Sequence, residues 1–144
     1  MSEPLIASIE RAAAKFVDMG DMRDATRPLD FSRGSLDVVG EMVTEAASWC
    51  ATLPPDQLAT LVQNIGCYVL EVGRAQFGGA YHWQQDTNQP ILVVGEPASH
   101  VALMTWDKVR IALRGDPADN LSFFYDGFAD GVARAQPGTR AVYV

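Results

Sequence analysis

Glu71 is the side chain whose setting best suits acid–base or ligand-binding chemistry. It lies between Leu70 and Val72 in a strongly apolar stretch, and the next charge along the chain is Arg74. A buried carboxylate must be paired or protonated, because an isolated charge in an apolar interior is far too costly. Two alternatives follow for Glu71. It forms an ion pair, with Arg74 or with a basic residue of segment 108–114, or it acts as a general base or ligand anchor in a pocket.

A pocket at Glu71 would draw its other ligand-binding residues from three elements. Tyr68 lies one helical turn before Glu71, His82 falls on the strand that follows, and Arg110 falls on a later helix. Such a pocket, between the third helix and the sheet, predicts a small-ligand-binding or hydrolytic domain.

Other signatures of catalysis are missing, so we predict no catalytic residue, no metal and no cofactor. His82 and His100 match no metal-binding spacing, and no Gly-x-Ser-x-Gly elbow or phosphate-binding glycine loop occurs. Cys50 and Cys67 each lie within an apolar helical pattern. There a free cysteine behaves as a small hydrophobe, so neither is predicted to be a nucleophile.

An acidic ridge is predicted on the second helix. Asp37, Glu41 and Glu45 recur at i, i+4 spacing and share one face, where like charges cost a few tenths of a kcal/mol per pair. The ridge is either a solvated outer face or a docking surface for a basic partner. Three consecutive aromatic side chains, Phe123-Phe124-Tyr125, cannot all lie within one buried stripe of a helix. Phe123 is therefore expected to be exposed and to form part of an interface.

Composition excludes several classes of protein. The chain has 144 residues, of which 48% are hydrophobic and 20% charged, as expected for one globular domain. Its formal net charge of −7 argues against nucleic-acid binding and against attachment to anionic membranes. No apolar run approaches the roughly 20 residues of a membrane span, and the first residues lack the features of a signal peptide. We therefore expect a cytoplasmic protein.

Periodicity predicts a single α+β domain, with an N-terminal helical pair in residues 1–53 and the remaining elements in 54–144. Five helices are expected at about 4–18, from 32 or 35 to 50, 55–77, 105–114 and 120–135. Strands are expected at 80–84, 90–95 and 100–104, and a possible edge strand at 140–144. Short connections favour an antiparallel sheet of three or four strands, packed against the third helix. Either Trp49 or Cys50 completes the buried stripe of the second helix.

Two glycines mark the third helix as the centre of the fold. Gly66 and Gly73 each cost about 1 kcal/mol relative to alanine inside a helix. They are seven residues apart and so lie on nearly one face. We expect another helix or the sheet to approach that face closely.

The sequence also resembles a group of small bacterial proteins of unknown function. The resemblance covers roughly residues 58–128 and rests on the runs 66–72 and 78–83, an apolar strand, and a helix with Lys108 and Arg110. In that group a helix with a Gly-Glu-Val ending precedes a tryptophan-containing strand, and a Lys-Arg pair follows the sheet. Here Leu70 replaces the glycine and Val109 separates the two basic residues. The resemblance implies the order of elements and no catalytic residue.

Three functions follow from these patterns. The first is a non-enzymatic cytoplasmic interaction domain that binds a protein partner, or a second copy as a homodimer, through an apolar or aromatic face beside the acidic ridge. The second is the small-ligand-binding or hydrolytic domain with a pocket at Glu71. The third is an immunity-type protein that neutralises a basic toxin.

Overall fold

The computed structural model of the chain describes residues 4–21, 28–115 and 120–144. These residues form five α-helices, one 3₁₀ turn and a four-stranded sheet, which confirms the predicted α+β class. The helices are α1 (Leu5–Asp21), α2 (Ser35–Ala47), α3 (Pro55–Phe77), α4 (Trp106–Leu113) and α5 (Leu121–Arg134), and the 3₁₀ turn is Cys50–Thr52. The strands are β1 (Ala80–Gln84), β2 (Gln89–Val94), β3 (His100–Leu103) and β4 (Arg140–Tyr143).

The sheet is mixed, so the prediction of a purely antiparallel sheet is wrong. Its strand order is β1-β2-β3-β4, with β1–β2 and β2–β3 antiparallel and β3–β4 parallel. The first three strands are joined by short turns, which suit antiparallel neighbours. Between β3 and β4 the chain passes through α4 and α5, and such a crossover returns it in the same direction.

Helix α3 is the centre of the fold, as predicted. It begins with Pro55 at its first turn, where the missing N–H removes no helical hydrogen bond. From Leu61 to Gly73 every residue except Gln63 is buried, and a helix that is buried almost all round must lie inside the molecule. It ends at Gly78, whose φ of +73° is a conformation that glycine adopts without steric cost.

The two glycines of α3 permit the close approaches that the sequence predicts. A Cβ on Gly66 would collide with the ring of Trp106 and lie 3.1 Å from Thr105 Oγ1, so α4 begins directly against α3. The Thr105 hydroxyl donates a 2.7 Å hydrogen bond to the Gly66 carbonyl. A Cβ on Gly73 would lie 3.0 Å from Leu92 of β2, so the sheet packs directly on the helix.

The other helices complete one core around α3. Helix α1, which extends three residues beyond its predicted end, packs along α3. Helix α5 contacts β3 and β4, and the ring of Tyr143 lies against Gly131. One continuous cluster of buried apolar side chains runs from Ile9 in α1 to Phe128 in α5. Within the described part of the chain, no helix has the length and apolar character needed to cross a bilayer.

Candidate functional site

Glu71 is held in an ion pair, the first of the two alternatives for it. Arg74 binds its carboxylate with two hydrogen bonds, Nε to Oε2 at 2.7 Å and Nη2 to Oε1 at 2.9 Å. The hydroxyl of Tyr81 donates a third, 2.6 Å from Oε2. The Glu71 side chain is only 10% exposed, so the expected need for a partner is confirmed and Arg74 is that partner.

The Glu71 cluster, formed by Glu71, Arg74 and Tyr81, joins three elements. Glu71 and Arg74 lie on α3, Tyr81 lies on β1, and Arg74 Nη2 also lies 3.8 Å from Glu10 of α1. The Arg74 guanidinium lies over the Tyr81 ring, 5.9 Å from its centroid. Three charge-assisted bonds engage both carboxylate oxygens, so the geometry supports a role in fixing α1 and β1 on α3.

Tyr68 is fully buried and its hydroxyl is engaged on two sides. It lies 2.7 Å from Ser35 Oγ at the start of α2 and accepts a 2.9 Å hydrogen bond from the backbone N–H of Phe31. Its ring stacks on Phe31 and meets Phe16 edge-on. Burial raises the pKa of Tyr68, which keeps the hydroxyl protonated. Tyr68 therefore ties the beginning of α2 to α3.

His82 and Arg110 lie apart from the Glu71 cluster. On β1, Tyr81 points to Glu71, so the next residue, His82, points to the opposite face of the sheet and is exposed. Arg110 is exposed on α4, where its Nη1 lies 2.5 Å from Asp107 Oδ1. The structure thus places Glu71 next to Tyr81. The residues of the predicted pocket do not converge on one point: Glu71, Tyr68, His82 and Arg110.

Buried hydroxyl and thiol groups predict a loss of stability in alkali. Burial raises the pKa of the Cys67 thiol from 9.0 to about 12. Burial also raises the pKa of Tyr81, and the hydrogen bond from its hydroxyl to the Glu71 carboxylate raises it further. A group whose pKa is raised by folding contributes stability below its unfolded pKa and loses it as pH rises toward its folded pKa. We expect the free energy of unfolding to fall above about pH 9, by up to about 1.4 kcal/mol per pH unit for each group.

Urea denaturation at a series of pH values measures this fall. Tyr81→Phe keeps the ring and removes one titrating hydroxyl, so its unfolding free energy should decline less steeply above about pH 10 than that of the unmodified chain. Equal slopes for the two proteins would contradict the assignment of Tyr81.

The acidic ridge lines a groove between α2 and the neighbouring ends of α4 and α5. Asp37, Glu41 and Glu45 form one side, and Gly115 and Ser122 lie on the other. The groove has a volume of about 1020 Å³, which is at the upper end of the range for ligand-binding clefts. The ridge therefore borders a concave surface. We call this concavity the acidic groove.

Hydrogen bonds brace the two walls of the acidic groove. The guanidinium of Arg33, just before α2, binds both carboxylate oxygens of Asp126 on α5, at 2.6 and 2.7 Å, and also lies 3.2 Å from Asp37. The hydroxyl of Ser122 donates a 2.8 Å hydrogen bond to Asp37. The Arg33 guanidinium lowers the pKa of Asp126. Asp37 thus holds α2 and α5 together. Glu41 and Glu45 are exposed along the groove.

An apolar cleft adjoins the ridge at Glu45. Its volume is about 190 Å³, and Glu45 lines both concavities. Trp49 and Met19 are 42% and 44% exposed at this cleft, whose inner surface includes Phe16 and Ile65. We call it the Trp49 cleft. An exposed tryptophan and methionine beside an apolar depression are typical of protein contact surfaces.

The sequence does not determine whether Trp49 is buried or exposed. The helical period allows either Trp49 or Cys50 in the buried stripe, and the structure buries Cys50 and exposes Trp49. Helix α2 ends at Ala47, so the helical period no longer applies at these two residues. No sequence signal marks this end, because Pro54 and Pro55 stop a helix only at about Leu53, six residues after Ala47.

Phe123 is exposed, as predicted, with 79% of its surface accessible. It lies in the first turn of α5, where the Asn120 side chain accepts a hydrogen bond from its backbone N–H. Its neighbour Phe124 is covered by Lys108, whose Nζ lies 5.3 Å from the ring centroid, and Tyr125 is fully buried. Phe123 follows the groove residue Ser122 in the chain but is not among the residues that line the groove.

Among the described residues, no three His, Cys, Asp or Glu side chains converge in a way that could hold a metal ion. Cys50 and Cys67 are both buried, and the raised pKa of Cys67 keeps that thiol protonated and unreactive. Comparison with models of protein families, with characterised proteins and with solved structures finds no match to this chain.

Proposed function

We propose that the chain is a non-enzymatic, cytoplasmic protein-interaction domain that binds a basic, partly apolar segment of a partner protein. The observation that carries the proposal is that one acidic side chain, Glu45, lines both the acidic groove and the Trp49 cleft. A partner with a cationic side chain beside a large apolar one would contact both concavities at once. An amphipathic helix presents side chains in this way.

Charge supports a basic partner. The chain carries a net charge of −7, and a cleft lined by one sign of charge attracts ligands of the opposite sign. The Trp49 cleft would receive the apolar anchor, because tryptophan is among the residues that supply most of the binding energy in protein contacts. A basic toxin would be one such partner, so the immunity-type function is a special case.

A basic partner fits this surface better than a second copy of the chain. A twofold dimer contact brings the same surface of both copies together. Here that would bring the carboxylates of Glu41 and Glu45 from both copies into one contact. Like charges brought together in a contact are repulsive, so a homodimer through this surface is disfavoured.

Peptide selection tests the proposal with random peptides in place of the natural partner. A displayed library of such peptides is selected on the intact protein, and the affinity of the best binder is measured for the variant Glu41→Gln/Glu45→Gln. Each exposed ion pair contributes up to about 1 kcal/mol, so we expect a five- to thirtyfold loss, or roughly 1–2 kcal/mol. Asp37 is left unchanged because it braces α2 on α5.

A matched control changes the same number of carboxylates elsewhere. Asp86 lies in the turn between β1 and β2 and Asp130 on the outside of α5, and both are exposed. The variant Asp86→Asn/Asp130→Asn should bind the selected peptide as the unmodified chain does. Enrichment of acidic or neutral peptides, or equal losses in the two double variants, would rule out the acidic groove as the binding surface.

A further inference from the structure

Strand β4 lies at one end of the sheet, so one of its edges faces no other strand in the described part of the chain. The carbonyl oxygens of Thr139 and Tyr143 accept hydrogen bonds from backbone N–H groups on the β3 side, at 2.7 and 2.9 Å. Successive residues of a strand present their N–H and C=O groups to opposite edges. Arg140, Val142 and Val144 therefore present theirs on the free edge. Such a row is a template on which a further strand can pair.

The exposed side chains of this edge are mostly apolar. Val142 and Val144 are 52% and 53% exposed. They point to the face of the sheet away from α5, because the intervening Tyr143 packs against that helix. Strand β4 contains one cation, Arg140, and no acidic residue, in a chain whose net charge is −7. Two copies of this edge therefore meet without bringing carboxylates together.

Helix α5 presents a row of exposed residues on one face. Phe123, Gly127 and Arg134 are all exposed, and the helical period places them within about 40° of one another around the axis. Phe123 is 79% exposed, the largest fraction among the exposed large apolar side chains of the described residues. Arg134 pairs with Asp130 at 3.1 Å, so this pair adds no net charge. We call Phe123, Gly127 and Arg134 the α5 stripe.

The α5 stripe lies on the same side of the molecule as the free edge of β4. Around the helix, the order of positions is the buried Phe128, then Gly131, then Gly127 and the rest of the stripe. The ring of Tyr143 packs against Gly131 and lies 4.0 Å from where a Cβ on Gly127 would be, so β4 lies under the middle of α5 on this flank. The α5 stripe therefore faces outward, beyond the free edge of β4, where the helix of a paired copy would lie.

A twofold axis at Val142 brings both features together. If β4 pairs antiparallel with its own copy about this axis, Val142 lies opposite Val142 and forms two hydrogen bonds with it, and Arg140 lies opposite Val144. Because α5 contacts both β3 and β4, and neighbouring strands lie about 4.8 Å apart, the two α5 helices run about 10 Å apart, close to the usual spacing of packed helices. The two helices are antiparallel across the axis, so Arg134 of one copy approaches the Phe123 ring of the other, as in a cation–π pair.

We infer that the chain forms a twofold homodimer in which two β4 strands pair about Val142 and the two α5 stripes pack across the axis. The contact is small, near or below the roughly 1,000 Å² of a stable interface. We therefore expect a dissociation constant of about 10–100 µM and a monomer at low micromolar concentration. None of the interface residues lines the acidic groove or the Trp49 cleft, so the inference is independent of the proposed function.

Sedimentation velocity of the full chain, from about 5 µM to about 1 mM, measures the dimer and its dissociation constant. Val142→Lys sets two cations against each other at the axis, and like charges directly opposite one another destabilise a strand pair. It should weaken dimerisation at least about tenfold, although it reduces the net negative charge of the chain. His82→Lys adds the same charge at an exposed position of β1, on the same face of the sheet, and should leave dimerisation unchanged.

The contribution of Phe123 has its own pair of variants. Phe123→Ala should raise the dissociation constant about fivefold or more, because it removes the aromatic side chain that reaches the other copy. Trp49→Ala removes an aromatic side chain that is 42% exposed in the Trp49 cleft, and it should have no effect. Glu41→Gln/Glu45→Gln should not weaken the dimer either, which separates this contact from the acidic groove.

Single cysteines test the register of the strand pair, with diamide as the oxidant. In the twofold pairing the two Cα atoms of residue 142 lie about 5.5 Å apart, within the range of a disulfide, whereas those of residue 140 lie roughly 14 Å apart. We expect Val142→Cys to form a disulfide-linked dimer at least about tenfold faster than Arg140→Cys. Cys50 and Cys67 are both buried, so the unmodified chain serves as the control and should not cross-link.

Several outcomes would overturn the inference. These are a monomer at every concentration, equal dimerisation by the unmodified chain and Val142→Lys, and equal cross-linking rates for Val142→Cys and Arg140→Cys. A chain that stays monomeric would leave the edge of β4 to an extended segment of another protein. Circular dichroism checks the fold of each variant, and if Val142→Lys does not fold, Phe123→Ala and the cysteine variants decide the matter. None of these results bears on the acidic groove, so the two proposals can fail separately.

Discussion

Tyr68→Ala is expected to lower the free energy of unfolding by about 3–5 kcal/mol, as large-to-small changes of buried aromatic residues do. The ring has no exposed surface and packs against Phe31 and Phe16, so its removal leaves a cavity between α1, α3 and the start of α2. Urea denaturation followed by circular dichroism measures the change.

Two further variants separate the contribution of the Tyr68 hydroxyl from that of its ring and provide a surface control. Tyr68→Phe keeps the ring and removes the partner of the Phe31 backbone N–H, so it should cost about 1–2 kcal/mol. Phe123→Ala removes an aromatic ring that is 79% exposed and should change stability by less than about 0.5 kcal/mol. A loss for Tyr68→Ala as small as that for Phe123→Ala would contradict the burial of Tyr68.

Arg74→Met is expected to lower the free energy of unfolding by about 2–4 kcal/mol. The change leaves the Glu71 carboxylate in the interior with the Tyr81 hydroxyl as its remaining hydrogen-bond donor. Breaking a buried ion pair costs about 3–5 kcal/mol, and we expect less here because Arg74 is 32% exposed and water can reach part of the site. The same denaturation measurement applies.

The double variant Glu71→Leu/Arg74→Met separates two costs in stability, the loss of the ion pair and the burial of an unpaired Glu71 carboxylate. It removes the buried carboxylate as well, so it should be more stable than Arg74→Met alone. Arg134→Met provides the surface control, because Arg134 and Asp130 form an ion pair with side chains 80% and 57% exposed. That change should cost less than about 1 kcal/mol. Equal losses for Arg74→Met and Arg134→Met would contradict the buried pair at Glu71.

Local patterns predicted the centre of the fold because each had one strong physical cause. The apolar run in α3 requires burial on most sides. Gly66 and Gly73 are explained by Trp106 and Leu92, whose side chains lie against the position that a Cβ would take. The pairing of Glu71 follows from the cost of a buried charge, which left few alternatives. Arg74 is one turn away on the same helix and supplied the nearest partner.

Features that depend on distant contacts were not predictable from local patterns. The direction of β4 depends on how α4 and α5 carry the chain back past β3, and an alternating tetrapeptide does not contain that information. The acidic groove similarly depends on the packing of α5 against α2, although the ridge itself was visible as i, i+4 carboxylates.

Stability and the proposed function are linked at the beginning of α2. Tyr68 holds Ser35 at the first turn of this helix, and Arg33 just before it holds Asp126 of α5. Both contacts fix the position of the helix that carries Glu41 and Glu45. A rigid wall reduces the entropy lost when a partner binds, so these buried and bracing bonds favour recognition by the acidic groove.

The most direct test of the acidic groove is an NMR titration of the ¹⁵N-labelled chain with the best basic peptide from the selection. We predict that the backbone signals of Gly40, Thr44 and Gly115, which line the groove, shift as the peptide saturates the protein, and that added salt weakens the binding. Shifts confined to β1–β4, or an affinity independent of salt, would contradict the proposal that the acidic groove is where this protein meets its partner.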